Sequence, residues 1–327
     1  MVCPYHTNGI SVTVKCPYLC KKKLKTTRKM KKILNLILAM TLGVASASAL
    51  TAQNDGVITV KTSKAGRTLV EKWVAAYREE HPEVQIELVS GKAKEADLTL
   101  VSTEVEGINV TYVGRYALLP VISATNPLKE DIEKRTWTAK DLKRLFFVDE
   151  ELDDDEFDNV KSRKERLADK LTVCTGSHST SWTPALAAHF GHTKDDLKGN
   201  KVAGDDYYLL AALEEEPTAV TFTSLTFLYD LQSRHVREGI ALLPLHVKKE
   251  QGEAFTDLDT AINLLEHQPI DAIPVEPVGF TYEQYDSDIE QFLSWVLSEG
   301  QAYNHSQGFL QLEEKDVKQQ IKVLANR

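Results

Sequence analysis

The stretch "VITVKTSKAGRTLVEKWVAAYREEHPEVQIELV" runs from Val57 to Val89. Its first part, Val57–Thr62, is rich in β-branched residues and reads as a strand. Ser63 stands where a helix N-cap belongs, because its side-chain oxygen can accept from a free N–H of the first turn. Leu69, Val70, Trp73, Val74 and Tyr77 then recur at helical spacing and define one apolar face. His81-Pro82 ends that helix, since proline pushes the residue before it out of the helical region. Val84–Val89 alternates and reads as a second strand.

The same alternation continues outward. Asp97–Ser102 reads as a strand, and Val110–Ser123 holds the long apolar run "YALLPVIS" before Asn126-Pro127. Thr138 caps the short amphipathic helix "AKDLKRLFF". Strand Leu171–Cys174 leads into "TGSHSTSWTPALAAHF", Thr175–Phe190, where a cluster of Ser and Thr precedes a helix starting at Thr183. Helices are expected over Asp205–Glu215, Leu225–Leu231, Asp257–His267, Asp286–Ser298 and Asp316–Ala325. Strands are expected over Ala219–Phe222 and Ala241–Leu245. Strands alternating with helices define an α/β class with largely parallel sheets.

Charge divides the chain unevenly. The first 52 residues hold nine of the 39 basic residues and none of the 48 acidic ones; the rest carries 30 basic against 48 acidic, a formal charge of −18. A surface that negative argues against nucleic acid and against anionic membranes as partners. Met30-Lys31-Lys32, the apolar run Ile33–Val44 and the small residues Ala45–Ala49 have the form of a secretory signal, too short to span a bilayer. We expect residues 1–29 to be an upstream extension and 30–52 to be the signal peptide. Of the four cysteines only Cys174 lies beyond that leader. A lone cysteine in an apolar strand reads as a buried, inert thiol. The acidic run Asp149–Asp158 lacks the spaced ligands and central glycine of a calcium loop and reads as a solvated face. No metal or cofactor is expected. The Ser-rich turn lacks a G-x-S-x-G elbow, so no hydrolase is expected either.

Four blocks in order resemble the phosphate-binding proteins of bacterial ABC transporters. They are the opening stretch, "VGRYALLPVISATNPL", "TAKDLKRLFF" and "FLSWVLSEGQAYNHSQGFLQL". The last is the most specific: a helix, an S-x-G-Q turn, then an aromatic-flanked glycine. The resemblance covers about Val57 to Leu312. It implies an α/β, two-lobed type 2 periplasmic binding protein fold with a cleft between the lobes. Lobe one would comprise residues 53–125 and 246–327, and lobe two residues 126–245, with crossovers near Ile122–Asn126 and Pro244–Val247. It further implies an exported, periplasmic, monomeric protein that takes phosphate or a related oxyanion and passes it to a membrane ABC transporter.

In such a site the anion is held by helix N-termini and hydroxyls, which act locally and tolerate a negative chain. By position, the resemblance assigns this role to Thr62 and Ser63 in the first loop and Ser102 in the next. It assigns it also to Ser179, Thr180 and Ser181 in the Ser/Thr turn and to Ser224 at a strand end. Ser63 and Ser179 read equally well as plain N-caps. Arg67 reads as a partner for an anion or, in preference, as one half of an exposed ion pair with a nearby Glu, and Trp182 as a wall of the cleft or, in preference, as packing between helix and strand. Three departures from the family pattern stand out. Only Ser90–Ala96 joins the second strand to the third, where the family has a Gly-rich loop and a helix. Thr175 and Thr183 flank the Ser/Thr turn, where many relatives carry an Arg. The acidic run replaces an Asn-Trp segment. These departures motivate a second expectation, a binding-protein fold without a small ligand that serves as a cell-envelope interaction module.

Overall fold

The computed structural model describes residues 56–89, 91, 93–103, 105, 109–148, 163–177, 182–204 and 206–326. The leader, the acidic run and the turn residues His178, Ser179, Thr180 and Ser181 lie outside the described residues.

Strand β1 (Val57–Lys61), helix α1 (Lys64–Glu80) and strand β2 (Gln85–Val89) follow the opening stretch closely. The five apolar residues of the helical stripe are all buried. The indole N–H of Trp73 donates to the Gly300 carbonyl at 2.8 Å, which ties α1 to the C-terminal region. The helix stops where His81 donates its backbone N–H to the Tyr77 carbonyl. Strand β3 is Leu98–Val101, and β4 is a 14-residue strand, Val110–Ser123. Helices α2 (Lys129–Glu133), α3 (Ala139–Phe146) and α4 (Arg163–Ala168) come next. Thr138 caps α3 through a reciprocal box with Asp141, as its sequence suggests. Then come β5 (Thr172–Gly176), α5 (Thr183–His189), β6 (Asn200–Val202), α6 (Asp206–Glu215), β7 (Ala219–Ser224) and α7 (Leu225–Leu228). The chain continues through β8 (Ile240–Leu242), α8 (Lys249–Ala254), α9 (Leu258–His267), β9 (Val275–Thr281), α10 (Ser287–Leu297) and α11 (Glu314–Leu324).

The nine strands form one sheet in the order β2-β1-β3-β9-β4-β7-β5-β6, with β8 also on β4. It is mixed, not largely parallel. Strand β1 is parallel to β2 and β3, and β5 to β6 and β7, whereas β4 is antiparallel to β7, β8 and β9. The difference traces to β4, which runs against β7, β8 and β9, and to β9, which also runs against β3 and is hidden in the sequence by Pro277 and Gly279. Pro277 is tolerated because β9 there has a neighbour on one side only: β3 pairs only with Gly279–Thr281.

Strand β4 changes partners along its length. Its first part, up to Ala117, pairs with β9; from Leu118 onward it pairs with β7, and later with β8. One continuous strand therefore carries two half-sheets. A β-bulge interrupts its register between Tyr112 and Gly114. The C-terminal turn supports that bulge. Gln301 donates to the Val113 carbonyl at 2.8 Å and to the Val296 carbonyl at 2.9 Å. Gly114 is a glycine because an added Cβ would lie 2.9 Å from the Asn304 amide nitrogen. Gly308, at φ 75°, brings the same turn against α7, where an added Cβ would meet the Thr226 nitrogen at 2.9 Å. Both glycines follow from close approach.

Candidate functional site

Strand direction sets the geometry of the site. Strands β1 and β3 run with β4, so their C-terminal ends point along it toward Ser123. Strands β5 and β7 run against β4, so their ends point back toward Val110. In register, Val101 at the end of β3 lies level with Tyr112, through Gly279, and Ser224 at the end of β7 lies opposite Leu118. The two sets of strand ends thus face each other along six residues of β4, roughly 20 Å at strand spacing. Ligands of open α/β sheets bind outside the carboxyl ends of strands.

Four of the candidate hydroxyl residues fall on these ends. Thr62 and Ser63 follow β1, Ser102 follows β3, and Ser224 ends β7. Their local roles differ. Ser63 caps α1 and accepts from the Gly66 N–H at 3.3 Å, and the Thr62 hydroxyl donates to the Ser63 carbonyl at 3.1 Å. The Ser102 carbonyl accepts from the Tyr116 hydroxyl at 2.6 Å. Ser224 is buried, and its hydroxyl has no hydrogen-bond partner among the described residues. Arg67 pairs with exposed Glu71 at 2.7 Å, as its position on the helix surface suggests.

Other residues occupy the same junction, and of these the sequence singled out only Trp182. Tyr116 lies on β4 between the two sets of strand ends, with its ring 4.9 Å from that of Trp182 just before α5. Burial holds the Tyr116 phenol well above its usual range, and the negative charges of Glu276 and Asp206 push it further. It is a neutral donor at physiological pH. Trp182 is buried, and its indole N–H also has no acceptor among the described residues. Asp206, the first residue of α6, is buried at 1 % exposure. Across the junction, the Lys64 ammonium at the start of α1 lies 5.3 Å from the Tyr208 ring centroid on α6. Beside the Ser177 end of the Ser/Thr turn is a 220 Å³ cavity lined in part by Thr183, Lys194 and Lys201. Lys201 donates to the Thr175 hydroxyl at 3.2 Å and the Leu197 carbonyl at 2.8 Å, and partial burial lowers its ammonium pKa. A donor without an acceptor leaves no mark in sequence, so the sequence names Trp182 and Ser224 but not their lack of partners.

The connection from β2 to β3 holds no helix among its described residues. It crosses β1 instead. Lys61 donates to the Ala93 carbonyl at 2.9 Å, and Asp97 accepts from both the backbone and the hydroxyl of Thr59. Cys174 is buried, and burial raises its thiol pKa, in keeping with an inert thiol. No described helix is long and apolar enough to cross a membrane.

No family model matches the chain, and no curated protein does. Solved structures do match. A candidate phosphate ABC transporter substrate-binding protein from Clostridium perfringens, solved with bound phosphate, superposes with a TM-score of 0.54 at 13% identity, over 79% of this chain and 100% of that one. The fold is that of a type 2 periplasmic binding protein. An ABC-type phosphate transport receptor from Vibrio cholerae matches at a TM-score of 0.49 and 13% identity, over 78% and 100% of the two chains. A candidate phosphate-binding protein from Planctomyces limnophilus matches at 0.46 and 14%, over 83% and 98%. The S-x-G-Q turn belongs to the frame of the β4 junction, since its Gln301 supports the bulge in that strand.

Proposed function

We propose that the protein is an exported solute-binding protein that captures phosphate or a similar oxyanion at the β4 junction and delivers it to a membrane ABC transporter. One lobe is built on β1, β2, β3, β9 and the first part of β4, within residues 53–125 and 246–327. The other is built on β5 to β8, within residues 126–245. The observation that carries this reading is the pair of buried donors, the Ser224 hydroxyl and the Trp182 indole N–H, with no acceptor among the described residues. Buried donors are ordinarily satisfied, and an anion's oxygens would satisfy both. Thr62, Ser63, Ser102, Ser179, Thr180 and Ser181 complete the proposed set. Lys194 and Lys201 supply positive charge beside a turn that lacks a flanking Arg. Export through residues 30–52 and release into the periplasm as a monomer belong to the same reading.

A second reading is favoured by a different observation. Asp206 is a buried carboxylate near the Tyr116–Trp182 pair, and an anion next to it would be repelled unless one of them held a proton. On that reading the junction is filled by its own side chains and the protein is an envelope interaction module. Calorimetric titration of the chain from Gln53 onward with phosphate, then sulfate, at low salt separates the two. Saturable binding supports the first reading. Silence with both anions, on folded protein, refutes it and supports the second.

A further inference from the structure

The second half-sheet holds a larger cavity that belongs to neither reading. It has a volume of about 530 Å³, within the range of small-molecule sites. Strand β5, helices α3 and α4 and the turn before β6 enclose it. Leu145, Leu171 and Val173 give it an apolar wall, and each is less than a tenth exposed.

Its charged lining divides unequally. The Asp141 carboxylate is engaged by the Lys164 ammonium at 2.9 Å and by the backbone and hydroxyl of Thr138. The Glu165 carboxylate takes the Arg144 guanidinium at 3.2 Å. Those acceptors are committed. Lys198 is not paired in this way. Its ammonium donates to the Arg144 carbonyl at 3.1 Å and meets no carboxylate among the described residues. A second donor stands in the same wall. Trp137 is fully buried, and its indole N–H has no acceptor among the described residues. A buried N–H left without an acceptor costs free energy that a bound oxygen would recover. Spare donors beside an apolar wall, with Asp141 and Glu165 already paired and Asp169 the one other carboxylate in the lining, call for an anionic oxygen attached to an apolar body.

We propose that this cavity is a second binding site, for a small organic carboxylate. The carboxylate meets the Lys198 ammonium and the Trp137 indole N–H, and the apolar part packs on Leu145, Leu171 and Val173. The proposal is independent of oxyanion binding at the β4 junction.

The test titrates benzoate, hexanoate and the neutral control benzyl alcohol into the chain from Gln53 onward. Indole N–H resonances are followed by nuclear magnetic resonance. The chain has four tryptophans, so Trp→Phe variants assign each signal. Saturable movement of the Trp137 signal with benzoate or hexanoate, and not with benzyl alcohol, is expected. Lys198→Met should weaken that binding about tenfold or more, as for loss of a charge-assisted bond. Trp137→Phe should weaken it roughly two- to tenfold. The proposal is overturned if neither acid moves the Trp137 signal at millimolar concentration, if Lys198→Met binds like the parent, or if benzyl alcohol binds as well as benzoate. Phosphate should leave the Trp137 signal in place whether or not it binds at the junction, so the two sites fail separately.

Discussion

Replacing Ser224 by alanine tests the oxyanion reading through two effects of opposite sign. The Ser224 side chain is 2 % exposed and its hydroxyl has no partner among the described residues. A buried polar group without a partner costs about 1–3 kcal/mol. Removing it should therefore leave the free protein as stable as before or slightly more so. If the hydroxyl donates to a bound anion, the same change removes a charge-assisted bond of about 1.5–3 kcal/mol, roughly a 10- to 100-fold loss of affinity. Thr221→Val is the matched control. Thr221 lies on the same strand, 1 % exposed, and its hydroxyl donates to the Cys174 carbonyl at 2.8 Å. That substitution should cost about 1 kcal/mol of stability and leave affinity alone. The assay is urea denaturation with and without phosphate, together with calorimetric titration of each variant. Ser224→Ala losing a kilocalorie or more of stability while binding phosphate like the parent would refute the reasoning, because the hydroxyl would then be a structural group.

Three further outcomes follow from the packing around the junction. Gln301→Leu should cost on the order of 1–3 kcal/mol in urea denaturation, because the bulge carbonyl of Val113 keeps only the longer bond from Asn304 and the Val296 carbonyl loses the Gln301 amide. Glu266 is desolvated, which by itself would raise its pKa, but bonds from His305 and the Gln311 backbone, with His305 and Arg115 charges, hold it below the usual 4.5. A lowered folded-state pKa gives stability that is present above about pH 4.5 and lost as pH falls through the folded value, so Glu266→Gln should flatten that acid limb. Cys174 should resist thiol reagents in the folded protein and react only on unfolding, since it is buried with a raised pKa; rapid labelling of folded protein would contradict its placement.

Much of the frame was legible because its signals are local. The buried stripe of α1, the Thr138 box and the His81 stop each depend on residues within a turn or two. What escaped the sequence is non-local. Strand β9 is defined by its pairing with β3 and β4, and its own proline and glycine disguise it. The reversal of β4 against β7 and β8 turns an expected parallel sheet into a mixed one, and no periodicity encodes strand direction. At the junction, Thr62, Ser63, Ser102, Ser224 and Trp182 were named from position, but Tyr116 and Asp206 were not, because their meeting depends on elements far apart in the chain. Trp137 and Lys198 were missed for the same reason.

The block that carried most of the resemblance does not face the candidate site. In "FLSWVLSEGQAYNHSQGFLQL" the glutamine supports a bulge, Gly300 accepts from Trp73, and Gly308 lies against Thr226. These are backbone contacts between distant segments, and each fixes one residue type by close approach or by a buried hydrogen bond. Such positions tie the sequence to the fold. The hydroxyls at the strand ends are held less strictly: a serine that caps a helix can do so with or without an anion beyond it. Resemblance in this chain therefore speaks for the architecture, and the ligand has to be argued from donors that the protein itself leaves unanswered. Ser224 and Trp182 are such donors at the β4 junction, and Trp137 is another in the cavity beside β5. The two titrations read these donors one at a time.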